Sequence, residues 1–70
     1  MNAHEAREKT KLALQRQIDY ALDEIGKECQ KGKLDAVIYA KKEIAPFLTI
    51  LGFTVTAQKH DDGHKLTITW

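Results

Sequence analysis

Near the C-terminus stand four residues of metal-binding type, His60, Asp61, Asp62 and His64, arranged around Gly63. A divalent cation needs three or four ligands converging on one point. In a β-hairpin these four would alternate between the two faces of the ribbon, and Asp and Gly are wanted in a turn for backbone reasons. The cluster therefore reads as a hairpin turn at Asp61, Asp62 and Gly63, with no metal. Cys29, the single cysteine, could act as a nucleophile with His4 or His60 as base. It falls on the apolar stripe of a helix, where it is expected to be a buried structural residue. The carboxylates Asp19, Asp23, Glu24 and Glu28 follow helical spacing and suit a solvated face with i,i+4 partners such as Asp23 and Lys27. No phosphate loop and no nucleophile elbow occurs. No catalytic residue, metal site or cofactor is expected, and the chain reads as a non-enzyme.

A binding chemistry remains. Arg7, Lys9, Lys11 and Arg16 lie close together in sequence, with Tyr20 after them. Repeated by symmetry in an oligomer, Arg7, Lys11, Arg16 and Tyr20 could line an anion-binding cleft, with Tyr20 stacking on a base. Glu5 and Glu8 are interspersed, as on an ordinary mixed helix face.

These residues are carried by a long helix expected over 3–30. The segment lacks proline and is rich in good helix formers. Asn2 is the expected N-cap, with Glu5 three residues on. Leu14, Ile18, Ala21, Leu22, Ile25 and Cys29 fall within an arc of about 100°, the width of a core-facing stripe. Gly26 marks either an early end or a close neighbour. Gly32 is the expected residue after the C-cap.

Residues 35–40 centre on Val37, Ile38 and Tyr39 and predict a strand. Pro46 would clash deep inside a helix begun at 34, so a short helix is placed at 42–51 and closed by Gly52. Residues 53–60 and 64–70 alternate apolar and polar and form a hairpin with a two-residue Asp62-Gly63 turn. That turn pairs Val55 with Trp70, Ala57 with Ile68 and Thr56 with Thr69. Trp70 then closes the sheet core, or serves as an interface anchor. The fold class is α+β, a single domain over 1–70: a long N-terminal helix, then β-α-β-β with a small sheet.

Seventy residues with one cysteine have neither a disulfide nor a zinc site to staple a small core. The helix would be about 42 Å long, against a radius of gyration near 11 Å for a compact chain of this length. Its first turns overhang, so a homo-oligomer is expected, with Ala3, Ala6, Thr10, Leu12 and Leu14 at the interface. A net charge of +1 disfavours nucleic acid and acidic membranes as partners. No apolar segment is long enough to span a bilayer, and the N-terminus lacks a signal-peptide core. A cytoplasmic location is expected.

The opening Asn-Ala-His-Glu-Ala-Arg-Glu and the closing Leu51-Gly52-Phe53-Thr54-Val55, polar hairpin and Thr67-Ile68-Thr69-Trp70 resemble small uncharacterised proteins of tailed bacteriophages. Those proteins end in Ile-Ser-Trp or a similar tripeptide; here threonine replaces serine, and Pro46 is unusual. The resemblance implies a phage protein in the host cytoplasm or the virion, without implying an activity. The expected function is a phage accessory binding protein that inhibits or sequesters a host protein or a small nucleotide defence signal. On a protein partner, Leu12, Tyr20 or Tyr39 would form the exposed patch. The alternatives are a structural or assembly component of a virion and a nucleic-acid-binding module.

Overall fold

The computed structural model describes residues 1–70. Helix α1 spans Ala3–Gln30, strand β1 Asp35–Ala40, a 3-10 turn Lys42–Ile44, helix α2 Ala45–Ile50, strand β2 Thr54–His60 and strand β3 Gly63–Thr69. The α+β class and the element order are as expected. The short helix differs in that its first turn, Lys42–Ile44, is 3-10. Pro46 sits in the first turn of α2, where a missing N–H costs nothing.

Local chemistry explains each boundary. The Asn2 side chain accepts the Glu5 N–H at 2.9 Å, starting α1. Both helices end in a Schellman closure. Gly32 donates to the Cys29 carbonyl and Lys33 to that of Glu28; Gly52 donates to Thr49 and Phe53 to Leu48. Gly32 and Gly52 take φ +79° and +100°, backbone that other L-residues adopt only with strain. Gly26 does neither thing expected of it: α1 runs through it, and nothing lies within 4 Å of where a Cβ would stand.

The sheet order is β1-β3-β2, with both pairs antiparallel. The hairpin register departs from expectation. His60 faces Gly63, Ala57 faces Leu66, Val55 faces Ile68 and Thr56 faces Thr67. The two loop residues are Asp61 and Asp62, with Asp61 at φ +49°. Aspartate tolerates this left-handed backbone, and Gly63 joins the strand instead. The partner of each β2 residue moves by two along β3, so inner residues still meet inner ones. Trp70 therefore does not face Val55. It donates its N–H to the Leu34 carbonyl and packs edge-on against Phe53, 6.1 Å between ring centroids.

Ala36, Ile38, Leu66 and Ile68 form the inner face of the sheet and are buried with Ala21 and Ile25 of α1, Ile44 of the 3-10 turn and Leu48 of α2. α1 crosses this face along β1. Gln17 Oε1 accepts the Lys41 N–H at one end of β1, 2.9 Å away. Glu28 pairs with Lys33 at 3.3 Å near the other. Between these contacts, buried Ala21 lets the helix approach closely.

Beyond Gln17 the helix leaves the sheet. Residues 1–13 are all exposed. The molecule measures 45 × 24 × 18 Å, with a radius of gyration of 13.2 Å. This exceeds the value for a compact chain of this length, about 11 Å, because of the projecting arm.

Candidate functional site

The side chains expected to do chemistry are dispersed. Cys29 is exposed, not buried. It lies at the edge of the apolar stripe, one turn beyond Ile25, and α1 has turned that edge away from the sheet. About 18 Å of helix separates it from Gln17, beside the hairpin tip that carries His60. His4 lies further still along the arm. Neither histidine reaches the thiol. His60 and His64 fall on opposite faces of the sheet by register, as Lys59 pairs with His64 and His60 with Gly63. No three His, Cys, Asp or Glu side chains gather as a metal site.

The charged face of α1 forms ladders of ion pairs. Lys27 contacts Asp23 at 3.3 Å and Glu24 at 3.2 Å. These carboxylates hold the Lys27 ammonium above its usual range, first through hydrogen bonding to Glu24. Glu28 is held below the usual carboxylate range by hydrogen bonds from Lys33 and then Lys31. Both groups are on the surface, so these pairs steady the helix and its exit turn without activating a group.

The proposed basic cluster divides in two. Nine residues, or two and a half helical turns, separate Arg7 from Arg16 and also Lys11 from Tyr20, so each pair points to opposite sides. Arg16 and Tyr20 line an open groove of about 340 Å³ with Ala13, Gln17 and Tyr39. Lys11 lines a different groove of about 250 Å³ with Leu14, Gln15, Ile18 and Phe47. Arg7 lies on the projecting arm and lines no groove. Lys11 is also engaged by Glu8 at 3.5 Å.

Gln17 and Tyr39 are walls of a second concavity, about 490 Å³, that continues past Ala40 and Lys41 to the hairpin tip, His60 to His64. The elements explain the convergence. Tyr39 is the last outward residue of edge strand β1, and its ring sits 5.2 Å from that of His60. Gln17 is fixed from α1 by its bond to the Lys41 backbone. His60 Nε2 stands 3.6 Å from Asp61 Oδ2 across the tip. The result is two adjoining concavities that share Gln17 and Tyr39, with Arg16 and Tyr20 in one and Lys41 with two aspartates in the other. Sequence reasoning named Arg16 and Tyr20. It named Tyr39 only as an exposed aromatic, and it missed Gln17 and Lys41. Nothing in the order of residues places Lys41 against Gln17, 24 positions away.

A second surface is apolar. Phe47, Ile50 and Leu51 follow i, i+3, i+4 spacing and so share one side of α2, and all three are exposed. Ile44 and Leu48 are buried in the sheet core. Phe47 also stands across the 250 Å³ groove from Leu14 and Ile18, which are only half-buried. Ala3, Ala6 and Leu12 are exposed on the arm and line no groove, whereas Thr10, also exposed, borders a groove of about 350 Å³ with Leu14, Lys41 and the hairpin tip. Val37 and Tyr39 are exposed on the outer sheet face, among threonines.

No helix is long and apolar enough to cross a membrane. Comparison with protein-family models, with curated proteins and with solved structures finds no match to this chain.

Proposed function

We propose that the protein is a non-catalytic binding module that works as a homo-oligomer, with the outer face of α2 as the contact between copies. One observation carries this: α2 is apolar on two sides, while the core occupies only one. An apolar helix face that the core leaves uncovered marks a contact with another surface. The chain buries only eight of 70 residues, too small a core to stand without added burial. A second copy supplies that burial with the same patch.

The arm is the weaker candidate for this contact. Its small residues, Ala3, Ala6 and Thr10, are flanked by Arg7 and Lys11 on one side and by Lys9 and Arg16 on the other. In a symmetric pairing each basic flank would meet a basic flank of the second copy, and like charges repel. The arm and the two polar concavities are then left for the molecule's target. In keeping with the phage resemblance, the target is a host protein or a small nucleotide signal, which the oligomer inhibits or sequesters.

Absolute mass by light scattering on a size-exclusion column, over a concentration series, tests the assembly. The expected result is a discrete multiple of 8.0 kDa. A monomer at every concentration overturns it. A second possibility, a structural or assembly component, is favoured by the two open sheet edges, β1 and β2. It predicts open-ended growth of the mass with concentration, because head-to-tail addition of edge β1 to edge β2 does not close on itself.

A further inference from the structure

Arg16 forms no ion pair anywhere in the molecule, although α1 pairs Lys11, Lys27 and Lys31 with neighbouring acids. Lys41, at the far side of Gln17, also forms no ion pair but shares its concavity with Asp61 and Asp62, so it belongs to that concavity. Between them the Gln17 amide spends its oxygen on the Lys41 backbone N–H, which leaves its two N–H donors unspent. Two exposed tyrosines, Tyr20 from α1 and Tyr39 from β1, line the same groove.

This combination has a specific chemical complement. A guanidinium binds phosphate with two parallel N–H donors. Tyrosine rings present flat apolar faces that suit stacking on a planar ring. The groove volume of about 340 Å³ lies within the range of small-ligand sites. Asp61 and Asp62 line only the adjoining concavity, so they repel an anion there and leave the Arg16 groove as its place. On the outer sheet face beside Tyr39 stand Val37 of β1 and its β3 partner Thr67, with Lys65, the β3 partner of Tyr39, as the one cation among them. That is too little charge to track a polymer backbone.

We infer that the groove between the middle of α1 and the end of β1 binds a mononucleotide-sized ligand, a planar ring between Tyr20 and Tyr39 with its phosphate on Arg16. This deepens the binding-module proposal by naming the ligand class. It does not depend on the oligomer contact, which lies at α2.

The test uses the full chain, ¹⁵N-labelled, titrated with the common nucleoside monophosphates, with inorganic phosphate and with a short single-stranded oligonucleotide. The solution mass is measured separately on the same samples. The expected result is saturable shifts at Arg16, Gln17, Tyr20 and Tyr39 with a nucleoside monophosphate. Affinity should fall about tenfold or more in Arg16→Ala, the loss expected for one charge-assisted contact. Tyr39→Ala should also weaken binding, while Arg16→Lys should recover only part of it, because an ammonium lacks the bidentate geometry. An Arg7→Ala control should leave binding unchanged. No shifts with any nucleoside monophosphate at millimolar concentration would overturn the assignment. Equal binding of inorganic phosphate alone would overturn the ring contact. Binding of the oligonucleotide only, falling steeply with salt, would replace the small ligand with a nucleic acid. A monomeric mass with intact nucleotide binding would refute the oligomer and leave the groove standing.

Discussion

The outer face of α2 can be tested at a single residue, Ile50. This side chain is 82% exposed, Leu51 is 58% and Phe47 46%, together close to two whole apolar side chains per subunit. Fully burying such a side chain is worth roughly 1.5–3 kcal/mol, so the three offer roughly 3–6 kcal/mol per subunit. A two-fold contact counts this twice. The gross gain is then about 6–12 kcal/mol, set against an association cost of about 4–15 kcal/mol. Leu14 and Ile18, half-buried beside Phe47, add to the favourable side. The balance is close enough for one residue to decide it. Ile50→Glu removes most of one side chain from each subunit and places a charge in the contact, so association should weaken by at least about 2.5 kcal/mol, or near a hundredfold. In an isolated subunit the same residue touches almost nothing, and its change should alter stability by only about 0.5 kcal/mol. Sedimentation equilibrium measures the first quantity. Thermal unfolding at low concentration, where both proteins are dissociated, measures the second. An unchanged association constant in Ile50→Glu would refute the reasoning, as would a large loss of stability in the dissociated subunit.

The hairpin offers two substitutions of opposite meaning. Asp61 holds φ +49° and Gly63 does not need a positive φ, so Asp61→Gly should stabilise the fold by up to about 1 kcal/mol, while Gly63→Ala should be neutral or mildly stabilising. Chemical denaturation measures both, and a loss above about 1 kcal/mol in Gly63→Ala would restore the Asp62-Gly63 turn. Asn2→Ala removes the 2.9 Å cap bond to Glu5 and should cost the first turns about 1 kcal/mol. Because the arm is outside the domain, hydrogen exchange should quicken at residues 3–9 with no change in the melting temperature. Glu28 has its pKa depressed in the folded protein by Lys33 and Lys31, so its pairs stabilise the fold above the ordinary carboxylate pKa. That contribution is lost as pH falls through the depressed folded value. Glu28→Gln should therefore flatten the acid limb of the stability profile, as read from melting temperatures across the carboxylate range.

Much of the fold is written locally in the chain. Asn2, Gly32 and Gly52 mark helix ends through backbone chemistry that depends only on near neighbours, and the bounds of α1 and β1 follow from them. The hairpin was legible in type but not in register. Two adjacent loops, Asp61-Asp62 and Asp62-Gly63, both satisfy a two-residue turn, and both keep Val55 and Ala57 on the inner face. Alternation of apolar residues cannot separate registers that differ by two. The left-handed Asp61 counts against the observed register, and the packing of Trp70 on Phe53 accompanies it.

The rotation of α1 was the least legible feature, and it determines both candidate surfaces. Hydrophobicity alone spans the stripe over Leu14, Ile18, Ala21, Leu22, Ile25 and Cys29, of which the structure buries only Ala21 and Ile25. The helix is rolled so that Ala21 and Ile25, on one side of that stripe, face the sheet with Gln17 and Glu28 beside them. Gln17 and Glu28 are 11 residues apart, about three turns, so they leave one side of the helix about 16 Å apart. Strand β1, six residues long, covers about 20 Å. The two polar contacts thus span the strand they straddle, with Ala21 between them as the point of closest approach. A buried Leu22 would require the helix to roll away from both contacts. That would leave the Lys41 N–H without its partner and set a larger side chain where Ala21 now lies. The roll that satisfies the polar contacts leaves Leu14 and Ile18 half-covered beside Phe47, and it brings Arg16 and Tyr20 over the edge of the sheet to Tyr39. The apolar contact surface and the polar groove are thus two consequences of one helix orientation, in which buried Ala21 and Ile25 face the sheet and Gln17 and Glu28, which hydrophobic periodicity ignores, flank them.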